Sequence, residues 1–167
     1  MSSFKNNVAK IYVGWKTIRT FRRLSKQTVD FPISAKEVKN VLVLLPVDEE
    51  YMDAALTLMR HLRQHFTHWH FMVLDVRKIP KEQKDRYELP SDQFINDLGK
   101  NEFKLVIDLN FESDLRMKLI IGMLGIPYRL HIQVVDSNDY NMFARINREE
   151  FKGFNHVFNY LKSSFTV

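Results

Sequence analysis

The sequence predicts an open, mostly parallel, doubly wound α/β sheet preceded by a basic amphipathic helix. Three observations carry this. Short continuous apolar runs recur along the body, as in strands buried on both faces rather than half-exposed antiparallel ones. Segments of helical periodicity separate them, and strict alternation of strand and helix builds parallel sheets. The 167 residues are 45% hydrophobic and 13% aromatic, enough for one domain with a filled core and its own appendage.

The appendage comes first. Phe4, Val8, Ile11, Tyr12, Trp15, Ile18 and Phe21 recur at spacings of three and four, giving one apolar and aromatic stripe on a helix of about 24 residues, roughly 36 Å long. Lys5, Lys10, Lys16, Arg19, Arg22, Arg23 and Lys26 precede the first acidic residue, Asp30. The chain holds 25 Lys and Arg against 20 Asp and Glu, so without these seven the body has 18 against 20. The basic character belongs to residues 1–27. Such a stripe with only cations around it suits an anionic membrane surface, a helix packed on its own domain, or a protein partner. Nucleic acid is not expected, because no recognisable binding module accompanies the arm. The residues expected to meet membrane or partner are Phe4, Val8, Ile11, Trp15, Lys16, Ile18, Arg19, Arg22 and Arg23. Residues 28–40, with Pro32, read as a linker, and 41–167 as the α/β domain.

Within the domain, Val41 to Leu45 is the first strand, closed by Pro46. A helix over Asp48 to Phe66 follows, with Met52, Ala55, Leu56, Met59, Leu62 and Phe66 on one face and carboxylates in its first turn. Phe71 to Leu74 is the second strand. A polar stretch with Pro80 leads to a short helix over Ser91 to Leu98, begun by Ser91 or Asp92. Leu105 to Leu109 is the third strand, and Asp114 to Leu124 a helix stopped by Gly125. Arg129 to Val135 is the fourth strand. A polar turn over Asp136 to Asn141 precedes a short strand, Met142 to Ile146, and a last helix over Glu149 to Phe165.

Several chemistries are excluded or disfavoured. There is no cysteine, hence no disulfide, thiolate metal site or cysteine nucleophile. The longest apolar runs are too short to span a bilayer, and residues 1–10 lack the apolar core of a secretory signal. A nucleotide-binding α/β domain needs glycines after its first strand so that the backbone can approach phosphates. Here that turn is Pro46-Val47-Asp48-Glu49-Glu50, with no glycine and three carboxylates, so no nucleotide and no cofactor are expected. His61, His65, His68 and His70 cluster in sequence, but a helix and a strand aim them apart, so no metal is expected. Open α/β sheets place ligands at the carboxyl ends of their strands. That makes Asp48, Asp53, Asp108 and Asn110 the candidate ligand edge.

Three stretches together resemble a known family. They are the Val41 to Leu62 strand, loop and helix with its Leu-x-x-Met-Arg-x-Leu run, Leu105-Val106-Ile107-Asp108-Leu109, and Gly125-Ile126-Pro127-Tyr128-Arg129. Their order and spacing resemble the N-terminal domain of glycosyltransferase family 9, the lipopolysaccharide heptosyltransferases, over about residues 39–162. The resemblance implies a Rossmann-like half of a two-domain glycosyltransferase-B fold, in bacteria, with an arm at the inner membrane face. The departures imply loss of catalysis. The family's first loop carries an Arg and a Gly-Asp whose Asp is the suspected base, and neither stands at Leu45 to Tyr51. Its second, nucleotide-sugar-binding domain has no counterpart here. The expectation is a non-catalytic, membrane-peripheral binding or assembly subunit in the cytoplasm, with no catalytic residue. The alternative is an acceptor-binding half working with a separate donor domain.

Overall fold

The computed structural model describes residues 3–135 and 138–166, with side chains from Lys5 onward. Two members of the expected polar turn, Asp136 and Ser137, and the Phe4 side chain lie outside the described residues. Helix α1 (Ser3–Leu24) comes first, then the short strand β1 (Ile33–Ser34). Strand β2 (Asn40–Leu44) leads through a 3-10 turn at Glu49–Tyr51 into α2 (Met52–His65). Strand β3 (His70–Leu74), α3 (Asp92–Gly99), β4 (Leu105–Asp108), α4 (Leu115–Leu124) and β5 (Tyr128–His131) follow. The chain closes with β6 (Met142–Phe143), α5 (Asn155–Ser164) and β7 (Phe165–Thr166).

The main sheet has five strands, all parallel, in the order β3-β2-β4-β5-β6. This is the doubly wound fold the apolar runs predict. β2 and β4 pair Val41 with Leu105 and Leu44 with Asp108, and Val41–Leu44 and all of β4 are buried, because α2 and α5 cover one face and α3 and α4 the other. The end signals act as anticipated: Ser91 accepts from the Phe94 amide (3.2 Å), Asp114 caps α4 through the Arg116 amide (2.8 Å), and Gly125 ends α4 at φ 62°. Glycine alone takes that left-handed turn without penalty.

Besides shifts of a few residues at other element ends, several parts of the chain differ from expectation. The fourth strand stops at His131, because Gln133 turns back to bond the His131 ring. The fifth is two residues long. The last helix begins only at Asn155, after Gly153 at φ 114°. Residues 28–40, expected as a linker, pack against the domain: Ile33, Ala35 and Val38 are buried, and β1 pairs in parallel with β7. β3 also departs from two-sided burial. It is an edge strand, and none of its five residues is fully buried.

Helix α1 is seated on the domain. Ala9, Val13, Thr17, Phe21 and Leu24 face inward and join the core around α3 and α4. The seam is close. A Cβ on Gly122 would lie 2.4 Å from Thr17 Cγ2 and 3.0 Å from Phe21 Cε2, so only glycine lets the two helices approach this far.

Candidate functional site

The strand order reverses between β2 and β4, and the crevice at their carboxyl ends is where such sheets hold ligands. Here a side chain fills it. Asn110, two residues past β4, accepts from the Val47 amide (2.7 Å) and donates to the Leu45 carbonyl (3.0 Å) and to Asp108 Oδ1 (2.8 Å). It stitches the first loop to the end of the neighbouring strand. The Val47 amide, the group a bound phosphate would need, is already committed.

Behind Asn110 lies a buried polar cluster. Asp108 is 2% exposed and His131, its register partner on β5, 1% exposed. Asp108 Oδ1 also accepts from the Asn110 amide (3.1 Å), and the Tyr140 hydroxyl donates to Oδ2. The Tyr140 and His131 rings are 4.6 Å apart. Burial raises the Asp108 pKa above the usual carboxylate range; the nearby His131 and the bonds from Tyr140 and Asn110 offset part of that. Burial, and then the Asp108 charge, push the Tyr140 hydroxyl well above its ordinary value. A general base must come within hydrogen-bond reach of a substrate proton. Asp108 is sealed from solvent with its oxygens engaged, so it acts as a joint between β4, β5 and the loop carrying Tyr140.

Asp48 does share a depression with Asn110, a hollow of about 120 Å³ lined also by Val47, Glu112, Ser113 and Asp114. Its carboxylates are engaged by arginines. Arg148 binds Asp48 (3.0 Å) and Glu112 (2.8 Å), reaches the Tyr51 hydroxyl (3.3 Å) and lies over the Phe111 ring. Arg116 binds Asp114 (2.5 Å). On the far side Arg77 donates to the Val47 carbonyl (2.9 Å) and to Asp75 (2.9 Å), and its hydrogen bonds hold the Asp75 carboxyl below its ordinary range. Asp53 is not part of this edge. It lines a separate depression of about 250 Å³ with Thr57, Lys152 and Gly153. Arg129, from the Gly-Ile-Pro-Tyr-Arg run, is buried and donates to the carbonyls of Ile126, Pro127 and Asp139, bracing the turn into β6.

The outer side of α1 offers the opposite: apolar groups without cover. Ile11 and Trp15 are each 73% exposed and Ile18 43%, with Val8 half-buried beside them. The stripe therefore divides. Phe21 and part of Tyr12 turn inward, the latter against Tyr87, while Ile11, Trp15 and Ile18 face out. Arg19, Arg22 and Arg23 are exposed; Arg23 reaches the carboxyl end of α4 at Gly125. Lys16 leaves the basic face and pairs with Asp92 on α3 (2.5 Å).

Sequence reasoning singles out Asp108 and Asn110 by their place at a strand end, and the structure brings these two together. It misses Tyr140, His131 and Arg148. Only the shared register of Asp108 and His131, each at the end of its strand, could have hinted at that pairing. Among the described residues no group of three His, Cys, Asp or Glu is placed to hold a metal, and no helix is long and apolar enough to cross a membrane. No family model, curated protein or solved structure matches the chain.

Proposed function

We propose that this protein is a non-catalytic, glycosyltransferase-like domain that works as a membrane-peripheral assembly subunit, held at the anionic cytoplasmic face of a membrane by the outer side of α1. One observation carries the reading. The helix already has its own side buried on α4, yet presents a second apolar row, Ile11, Trp15 and Ile18, from a segment with no acidic residue before Asp30. An apolar row rimmed by cations alone, with an indole at its centre, is the composition of an interfacial helix. The non-catalytic part is supported by the stitched crevice, where Asn110 engages the Val47 amide and the Leu45 carbonyl and arginines engage the carboxylates around the small hollow beside it.

Magnitudes make the reading testable. Partial insertion of the Trp15 ring contributes about 2 kcal/mol, from roughly 80 Å² at 25 cal/mol/Å². Each cation near an anionic leaflet adds about 1 kcal/mol. Flotation with phosphatidylglycerol vesicles should therefore recover the protein, and phosphatidylcholine vesicles should not. Trp15→Ala should weaken the binding of each arm roughly 30-fold with little salt dependence. Arg19→Glu with Arg22→Glu should weaken it steeply at low salt and less at high salt, as screening requires. Equal recovery on neutral and anionic vesicles, or none on either, refutes the membrane reading; in the second case the row serves a protein partner.

A further inference from the structure

We infer that the protein forms a symmetric dimer through the free edge of β3, joining two five-stranded sheets into one. The inference rests on the backbone of that strand. The His70 amide donates to the Lys39 carbonyl (2.7 Å) and the Leu74 carbonyl accepts from the Leu45 amide (2.9 Å), so His70, Met72 and Leu74 turn their backbone groups toward β2. In a parallel ladder alternate residues face opposite ways. The amides and carbonyls of Phe71 and Val73 therefore point away from the sheet, and no described residue bonds them.

Natural sheets guard such an edge with charge, proline, a bulge or extreme shortness. The far edge of this sheet follows the rule, since β6 is only two residues long. β3 does not. His70-Phe71-Met72-Val73-Leu74 has no lysine, arginine, carboxylate or proline, Met72 is 37% exposed, and Phe71, Val73 and Leu74 are only half-buried. An open groove beside Val73 and Leu74, lined also by Ile79 and Phe94, leaves the strand's carboxyl end uncovered.

The occupant this edge fits is a second copy of itself. A two-fold axis at Met72 sets Phe71 opposite Val73 of the other copy and Val73 opposite its Phe71. All four are residues whose backbone groups point outward, so each pairing exchanges two amide-to-carbonyl bonds, four in all. Met72 then meets Met72, and no like charges face each other. The pairing cannot extend toward the amino end, because the Trp69 amide is bonded to the Phe66 carbonyl (3.0 Å). This is an isologous contact, which closes at two copies.

The chain's lack of cysteine makes the test clean. A non-hydrogen-bonded antiparallel pair sets its Cα atoms about 4.5 Å apart, inside the range a disulfide bridges. Met72→Cys should cross-link nearly completely under mild oxidation, and Leu56→Cys, on α2 and more exposed than Met72, should not. In lipid-free solution at roughly 100 μM, where a micromolar interface is saturated, sedimentation should give twice the 19.9 kDa chain mass. Val73→Pro removes an outward amide that no group of its own chain uses, and Met72→Lys sets two cations face to face. Each should return a folded monomer, with an unchanged circular dichroism spectrum. A monomeric wild-type protein at that concentration overturns the inference. So does a dimer that survives both variants, or cross-linking at position 72 no faster than at 56.

Discussion

Gly122→Ala separates a seated α1 from a loose one by the sign of its effect on stability. In a helix with nothing against it, replacing glycine by alanine stabilises by about 1 kcal/mol, because alanine loses less backbone freedom on folding. At Gly122 the new methyl would lie 2.4 Å from Thr17 Cγ2, 2.6 Å from Thr17 Cβ and 3.0 Å from Phe21 Cε2. One of these contacts is a Cβ fixed by its own helix, so a rotamer change cannot clear it. α1 must move by about 1 Å, and its whole inner row from Ala9 to Leu24 moves with it. Overpacking of this kind costs about 1–3 kcal/mol, and the short contacts place it in the upper half. Subtracting the propensity gain leaves a net loss of about 1–2 kcal/mol. For a domain of this size that is about 2–8 °C in Tm. Urea and thermal unfolding should show the loss, and trypsin should cut faster at Arg19, Arg22 and Arg23. Thr17→Gly, which removes both offending carbons, should couple favourably with Gly122→Ala in a double-mutant cycle. A Tm that rises by a few degrees would show that nothing presses on Gly122 and that α1 is not seated there.

Two further outcomes follow from the crevice. Asn110→Ala should cost about 2–4 kcal/mol in urea unfolding, since it strips the Val47 amide and the Leu45 carbonyl of partners; a loss below 0.5 kcal/mol would mean the first loop does not depend on that clamp. Asp108→Asn tests the buried carboxyl through pH. Its pKa is raised on folding, so the native state holds the proton more tightly, and stability falls as pH rises from the unfolded value near 3.9 through the folded one. The wild type should lose stability relative to Asp108→Asn over that interval and run parallel to it above; a constant difference from pH 4 to 7 would contradict the raised pKa.

What the sequence makes legible here is whatever depends on neighbours along the chain. Val41–Leu44 and Leu105–Ile107 are apolar runs because both faces of those strands are covered, and Ser91, Asp114 and Gly125 announce helix ends through bonds within four residues. β3 shows the limit of the same logic. Its apolar run looks like that of β2, yet it sits at an edge, because strand order depends on crossovers that composition does not encode. The arm shows another. α1 carries two apolar rows, one of large residues (Ile11, Trp15, Ile18) and one of small or mixed ones (Ala9, Val13, Thr17, Phe21). Periodicity picks out one stripe through Ile11, Trp15, Ile18 and Phe21 and does not single out the smaller row. The structure buries that smaller row, because Gly122 on the facing helix rewards close approach rather than bulk. At the crevice, Asp108 and Asn110 are found by position, but Tyr140 lies 32 residues beyond Asp108, and no local pattern links them.

The two proposed contacts, the β3 edge and the outer row of α1, reinforce each other geometrically. A two-fold axis that joins β3 edges in one continuous sheet runs normal to that sheet, so each copy keeps its faces on the same side as its mate's. α1 belongs to the layer with α3 and α4, and the dimer therefore carries both arms on one side, where a single membrane surface can engage them together. The second arm then binds at the millimolar effective concentration set by the first, a gain of about 10²-fold or more over one arm. The Met72→Cys cross-linked dimer should accordingly bind anionic vesicles at least 100-fold more tightly than the Val73→Pro monomer, and Trp15→Ala should cost the dimer roughly the square of what it costs the monomer. Equal affinities for dimer and monomer would show that the two arms do not reach the same surface, which would leave the edge pairing standing but detach it from the membrane.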